Sequence, residues 1–510
     1  MQSGIRRAAI ALALLCITPR AHAAEPSIEA AIEVNRPDIE AYIASGMKLF
    51  DLPGLAIGIV ANDRLVYAKS FGVRSKSNNA PVDAHTVFQI GSATKGFLAA
   101  TMALMVDRGR FKWADRVLDH DADFQLRDPW VTREFRMFDL LAQRSGLPPY
   151  ANDGLGILGL DHTRLIRSLR DVEPVSSFRS TFAYTNVTHI LAGRIVARAA
   201  GVPDWNTALQ KELLDPLGMH ATTYTAAAIE AAPNHAGGHR WTPDGTVEVP
   251  FTQIFPYDFD GAGDINTDVE DASRWLRFQL GDGAYEGHQI VSSENLAVTH
   301  TPKVAMSDTV SYAMGWVVQQ TPNGVIIWHN GGTPSFGSYV GFVAAKHAGV
   351  VVLTNEANVG FPDAIGRWVL DRLLDNPKVD VAAEAFKAAK AGFDKSTRLF
   401  AKPDSPRPFP PLAPLAGTFT NASIGKAIVT QEGGALVMRL EATGATLRLD
   451  PWDGGIFAVS FLSLDRFAAL VADLGPQPSL FAEYRMDKDA KLNVLHLSFD
   501  DGQAYDFTRE

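Results

Sequence analysis

Apolar and polar positions divide the chain into three textures. A helical period covers Ile28 to Phe50 and is broken by Pro53-Gly54. Two strand-like apolar runs follow, Leu55 to Val60 and Leu65 to Ala68, with Asn62-Asp63 between them as turn chemistry, which predicts a hairpin. A short strand, Thr86 to Ile90, leads to residues 97–106, which are apolar nearly all round and exit through Asp107-Arg108-Gly109. That pattern predicts a buried helix with a glycine stop. Residues 137–146 read as another helix ended by Gly146, Leu147 to Tyr150 as a loop, and the stretch to about residue 230 as mostly helical. Strand patterns return at Ala313 to Gln319, Val325 to Trp328, Ser338 to Val343 and Val350 to Thr354, before an amphipathic helix from Pro362 to Leu374. Strands at both ends with helices between predict a mixed α/β domain over 24–378, one antiparallel sheet flanked by helices and a helical subdomain.

From about residue 379 the texture changes. An alanine-rich helical piece runs into Pro403, Pro406, Pro408, Pro410 and Pro411, a density that predicts a semi-rigid connector over 379–411. Short alternating runs then occupy Ala427 to Gln431, Ala435 to Leu440, Thr446 to Leu449, Leu480 to Met486, Leu492 to Phe499 and Ala504 to Thr508. Glycine- and aspartate-rich turns separate them, and one helical insertion, Leu464 to Leu474, interrupts them. The expectation for 412–510 is a small all-β barrel.

Composition narrows the setting. A chain of 510 residues exceeds what a single core supports, so two or more domains are expected. Arg6-Arg7, the apolar run Ala8 to Ile17 and the small-x-small Ala21-His22-Ala23 predict a cleaved targeting segment over 1–23, too short for a bilayer span. Cys16, the only cysteine, falls inside it after a bulky Leu15, which disfavours lipidation and leaves the remaining chain without thiol or disulfide chemistry. A periplasmic or secreted protein is expected. Losing Arg6, Arg7 and Arg20 takes the net charge from −10 to −13, an acidic surface that argues against nucleic acid or anionic membrane as partner.

Candidate chemistry starts at Ser92 and Lys95. Their i, i+3 spacing puts hydroxyl and amine on one helical face, and the helix start offers backbone N–H groups to developing negative charge. Alone, the pair is better read as a serine cap followed by a solvated lysine. Two other stretches add polar groups: Tyr184-Thr185-Asn186 at the start of a helix, and His329-Asn330-Gly331-Gly332 at the end of a strand. His235 and His239 have helical ligand spacing but lie in a glycine-containing loop without the glutamate of a His-Glu-x-x-His site, so no metal is expected. No phosphate-cradling glycine loop is present, so no cofactor is implied. Gly154 to Gly159 reads as a mobile loop near the site.

Together, Ser92-Ala93-Thr94-Lys95, Tyr184-Thr185-Asn186 and His329-Asn330-Gly331, with Arg144 to Pro148 and Met314-Gly315-Trp316, resemble the penicillin-recognising serine hydrolases over residues 30–375. The similarity is to the branch holding class C β-lactamases, D-aminopeptidases and carboxylesterases. The tail from about 412 resembles the lipocalin-like barrel of some members. Many relatives carry lysine where His329 stands; histidine there is similar to the D-aminopeptidases and weakens the case for a penicillin carboxylate. Gln143 and Asp264 depart from that pattern.

The resemblance implies acyl transfer with Ser92 as nucleophile and Lys95, Tyr184 or the pair sharing a proton as base. It implies an oxyanion hole from the N–H groups of Ser92 and Gly332, with Gly331 and Gly332 permitting close backbone approach. Asn186 is expected to bond a substrate amide, and His329 to orient Tyr184 or bind a substrate carboxylate. The substrate expected is a peptide or amide, D-residue-containing and linearised cyclic peptides included. A carboxylesterase or weak β-lactamase, or a non-catalytic peptidoglycan- or penicillin-binding protein, are the alternatives. The barrel is expected either to cap the catalytic domain or form an oligomer contact, or to wall the site and limit substrate size.

Overall fold

A computed structural model describes residues 27–486, 489, 491–499 and 503–510; the expected targeting segment, with Cys16, lies outside them. Among the described residues no helix is long and apolar enough to cross a membrane.

The first domain is built on one antiparallel sheet of eight strands. In chain order these are β1 (Gly54–Ala61), β2 (Arg64–Gly72), β3 (Val304–Ala305), β4 (Val310–Tyr312), β5 (Val317–Thr321), β6 (Gly324–Gly332), β7 (Gly337–Val343) and β8 (Ala348–Thr354). Their spatial order is β2-β1-β8-β7-β6-β5-β4-β3, so the N-terminal hairpin pairs with the last strand, Leu55 opposite Thr354. Strands β1 and β8 read as continuous apolar runs because both faces are covered. Ile57, Ile59, Val350 and Val352 face a layer made by α1 (Ile28–Phe50) and the helix Phe361–Leu373. Ala56, Val60, Val351 and Leu353 face the other way, towards Val269 and Trp275 of the helix Val269–Leu280. The period of two along each strand thus feeds two separate cores.

Behind that second face lies α2 (Thr94–Asp107), entered through a 3-10 turn at Gly91–Ala93. Every residue from Thr94 to Met105 is buried, which is why its sequence is apolar all round. Phe97 stacks on Trp275 with ring centroids 3.9 Å apart. A Cβ on Gly96 would stand 2.8 Å from the Trp316 ring, and one on Gly315 2.5 Å from Lys95 O, so Met314-Gly315-Trp316 packs directly beneath Lys95.

The helix expected over 137–146 is not formed. Only a 3-10 turn, Met137–Leu140, is present, because Asp139 takes Arg136 N and Gln143 turns to φ +53 before Gly146 at φ +87. The expected mobile loop at Gly154–Gly159 is instead packed. Asp153–Ile157 is a short helix, and a Cβ on Gly154 would stand 2.6 Å from the Phe499 ring. His239 lies in the strand Gly238–Thr242, bonded to Asn355 O, so it shares no helical face with His235.

The alanine-rich piece is the helix Val381–Leu399, packed on the helix Phe361–Leu373. The tail forms a closed eight-stranded antiparallel barrel over Gly417–Arg509, the first strand pairing with the last. Two of its strands, Gly417–Asn421 and Ile456–Phe461, go beyond the sequence expectation, and the inserted helix is Phe467–Leu474. The barrel reaches back to the first domain through Arg466, which donates to Gly159 O at 2.9 Å, and Tyr505, which donates to Asn152 Oδ1 at 2.9 Å.

Candidate active site

Ser92 sits where the strand Phe88–Gln89 turns into α2. The turn needs Gly91 at φ +50, a conformation that side-chain-bearing residues rarely adopt. It also needs room, since a Cβ on Gly91 would stand 2.8 Å from Gly332 N and one on Gly331 only 1.7 Å from Ile90 O. These glycines let the end of β6 close onto the backbone that precedes Ser92. Ser338 Oγ donates to Ile90 O at 2.7 Å and Asn358 Nδ2 to Gly331 O at 2.9 Å, which locks the approach.

Lys95 is fully buried. Its Nζ lies 3.2 Å from Ser92 Oγ, 2.8 Å from Asn186 Oδ1 and 2.7 Å from Ala262 O. It also lies 4.7 Å from the centre of the Tyr184 ring. Burial draws its pKa down to about 7, against the opposing pull of the Asp153 and Asp264 carboxylates. As an ammonium, Nζ has one N–H group for each of these three oxygens; as the neutral amine it keeps two for Asn186 Oδ1 and Ala262 O and can turn its lone pair to the Ser92 hydroxyl.

The Tyr184 hydroxyl is buried and faces Ser92, without a hydrogen bond of standard geometry. Burial, then the neighbouring Tyr312, holds this phenol well above its usual range, so it keeps its proton. Gln143 clamps the segment on both sides of it. Its Oε1 accepts from Thr185 N at 2.7 Å and its backbone carbonyl from Ala183 N at 2.9 Å.

Asn186 is engaged at both ends, its Oδ1 with Lys95 and its Nδ2 with Asp153 Oδ2 at 2.5 Å. A substrate amide would have to use the second N–H of Nδ2 or the second lone pair of Oδ1. His329 also differs from expectation. Its Nδ1 lies 2.6 Å from Asn330 O, an acceptor only, so this nitrogen carries the proton and Nε2 accepts from Tyr312 OH at 3.0 Å. Burial first, and Lys95 second, pulls its pKa to about 3, so the ring is neutral with both nitrogens committed. Its hydrogen bond goes to Tyr312, not Tyr184, and no charge is available for a substrate carboxylate. Tyr312 in turn packs edge-on against Tyr184, centroids 6.3 Å apart.

The structure brings Ser92, Lys95, Tyr184, Asn186, His329, Gly331 and Gly332 into one centre. It adds Asp153, Tyr312, the Ala262 carbonyl and Asp264. Asp264 Oδ1 accepts from Gly261 N at 3.0 Å and shapes the turn that presents Ala262 O to Lys95. Burial, with Asp260 nearby, holds its carboxyl well above the usual range.

Residues 39–373 match the family model described as Beta-lactamase. Unguisins hydrolase ungD of Aspergillus violaceofuscus is 26% identical over 499 residues, covering 88% of this chain and 85% of that protein. Protein flp of Staphylococcus aureus is 22% identical over 324 residues, 63% of each chain. Among solved structures, the octameric penicillin-binding protein homologue from Pyrococcus abyssi has a TM-score of 0.60 at 23% identity, covering 93% of this chain and all of that one. That likeness speaks to fold alone. With the family model spanning the whole eight-stranded sheet and the three motif segments, the chain belongs to the beta-lactamase family, a fold of serine hydrolases.

Proposed function

We propose that this protein is an exported serine peptidase or amidase that cleaves peptide or amide bonds, those of D-residue-containing and linearised cyclic peptides included, through an acyl-serine intermediate. The observation that carries the reading is the fully buried Lys95 amine, 3.2 Å from Ser92 Oγ and otherwise bonded to Asn186 Oδ1 and Ala262 O. Free serine is a weak nucleophile, and a base whose pKa lies near neutrality is best placed to activate it.

In the proposed reaction Lys95 Nζ takes the Ser92 proton as Oγ bonds the substrate carbonyl carbon. The carbonyl oxygen becomes an oxyanion held by the N–H groups of Ser92 and Gly332, each such donor worth roughly 2.7–4 kcal/mol. The Tyr184 phenol gives its proton to the leaving nitrogen as the carbon–nitrogen bond breaks, and recovers one from the Lys95 ammonium. Water then attacks the acyl-serine, losing its proton to Lys95, which passes it on to Ser92 Oγ as the ester carbon–oxygen bond breaks. A neutral, fully bonded His329 supplies no fixed cation, which speaks against penicillin as the preferred ligand.

Mass spectrometry of D- and L-peptide digests, with Ser92→Ala as control, tests this reading. Defined cleavage products that vanish in the variant are expected; turnover surviving in Ser92→Ala sinks it. Cell fractionation with N-terminal sequencing tests export, and protein confined to the cytoplasmic fraction with Met1 retained contradicts it.

A further inference from the structure

An open cavity of about 760 Å³ lies between the first domain, the helix Val381–Leu399 and the barrel. Three segments that do not meet in sequence supply its aromatic wall. Phe255 and Phe259 come from the first domain, Phe393 and Phe400 from the helix and its end, and Phe461 and Phe499 from the barrel. Its inner end adjoins the site already described without being lined by Ser92, Lys95 or Tyr184. Tyr150 lines it, with its ring 5.6 Å from that of Tyr184, as does Asp153, which holds Asn186. Pro334, two residues beyond Gly332, lines it as well.

Such a volume suits a ligand much larger than the two atoms of a scissile bond, since pockets for drug-sized ligands span about 300–1,000 Å³. An apolar wall open to solvent and adjoining a polar reaction centre favours a chain that lies along it. Arg240 is the one cation among the lining residues.

We infer that this cavity is an extended subsite, completed by the barrel, that takes several residues of a linear peptide bearing bulky apolar side chains beside the bond presented to Ser92. This rests on the acyl-transfer reading of the Ser92 centre and adds the substrate class to it. The barrel's contribution is direct. Phe461, Leu474 and Phe499 are its own residues, and the contacts of Arg466 and Tyr505 with the first domain fix where they stand.

The test fills the cavity from rim positions whose side chains do not touch Ser92, Lys95 or Tyr184. Leu474 is 37% exposed and Thr397 is exposed, so Leu474→Trp and Thr397→Trp add bulk without opening a core. Each variant is assayed on p-nitrophenyl acetate and on the p-nitroanilide of a blocked tripeptide of phenylalanine and leucine. The ratio of peptide to acetate kcat/KM should fall at least tenfold in both variants; an unchanged ratio overturns the subsite. Because the ratio is internal to each preparation, a loss of folded protein does not imitate the effect. Calorimetry of the unlabelled tripeptide on Ser92→Ala separates the two readings. Binding there that is lost in Ser92→Ala/Leu474→Trp supports the subsite even if no substrate is turned over, an outcome that sinks the hydrolase reading alone. Absence of binding at millimolar peptide overturns the subsite itself.

Discussion

Two buried groups in the first domain, Lys95 and Asp139, are treated in opposite ways. Asp139 is 1% exposed and is met by opposite charge: Arg144 at 3.0 Å, Arg179 at 2.6 Å, and the backbone N–H of Arg136 at 3.0 Å. Lys95 is equally buried and is met by an amide oxygen, a backbone carbonyl and a hydroxyl, none of them charged. A carboxylate between two guanidiniums ties Arg179 to the 136–144 stretch. An amine whose hydrogen-bond partners are neutral is poised to lose its proton, because desolvation penalises the ammonium more than the Asp153 and Asp264 carboxylates favour it. Burial of a charge-capable group therefore says little by itself; its partners distinguish scaffold from chemistry.

The largest expected effect follows from removing the amine. Lys95→Met keeps the volume of the side chain and should lower kcat/KM by about 10²–10⁴-fold, the usual contribution of a general base. Thermal stability should stay level or rise, because no amine then has to be desolvated. Asp139→Asn should do the reverse. It leaves two guanidiniums facing a neutral group and should cost about 3 kcal/mol of stability, with kcat of the folded fraction changed only a few-fold. Denaturant melts of both variants check this, and a Lys95→Met protein less stable than Asp139→Asn would break the distinction.

The same contrast explains what the sequence revealed. Ser92, Lys95, Tyr184, Asn186, His329 and Gly332 announce themselves because each sits at a helix start or strand end with a telling neighbour. The pieces that tune them do not. Ala262 contributes only its carbonyl, so its side chain carries no signal. Asp153 lies in a glycine-rich stretch that reads as a loop, and only its tertiary contact with Asn186 gives it a role. Tyr312 intercepts the hydrogen bond expected between His329 and Tyr184 because strand pairing lays β4 beside β5 and β5 beside β6, a registration no local pattern reveals. The sheet was legible from its apolar runs. The helix expected at 137–146 failed for the reason that Asp139 succeeds: its ion pairs with Arg144 and Arg179 hold the chain in a tight turn, where local pattern alone favours a helix. In the barrel, the strand Ile456–Phe461 follows directly on the Gly454-Gly455 turn and merges into the apolar stretch before the inserted helix, which hid its boundary.

The subtlest expected effect is in pH dependence. If a neutral Lys95 is the base, kcat/KM falls as pH drops through about 7, approaching tenfold per unit, yet rises only about twofold from pH 7 to 9, since half the amine is already neutral at the midpoint. Stability gives a second reading of the same group that does not depend on substrate. The ordinary lysine value of 10.5 applies to the unfolded chain, and about 7 to the folded one. Between these values the unfolded chain binds the extra proton, so Lys95 makes stability rise with pH across that window, by at most about 1.4 kcal/mol per unit. Below about pH 7 both states are protonated and its contribution is constant, at its most unfavourable. Subtracting the Lys95→Met profile from that of the native protein isolates this slope from every other titrating group. A difference that is flat from pH 7 to 10 would mean that Lys95 remains an ammonium when folded. The contrast with Asp139 would then collapse, and the base would have to be sought in Tyr184.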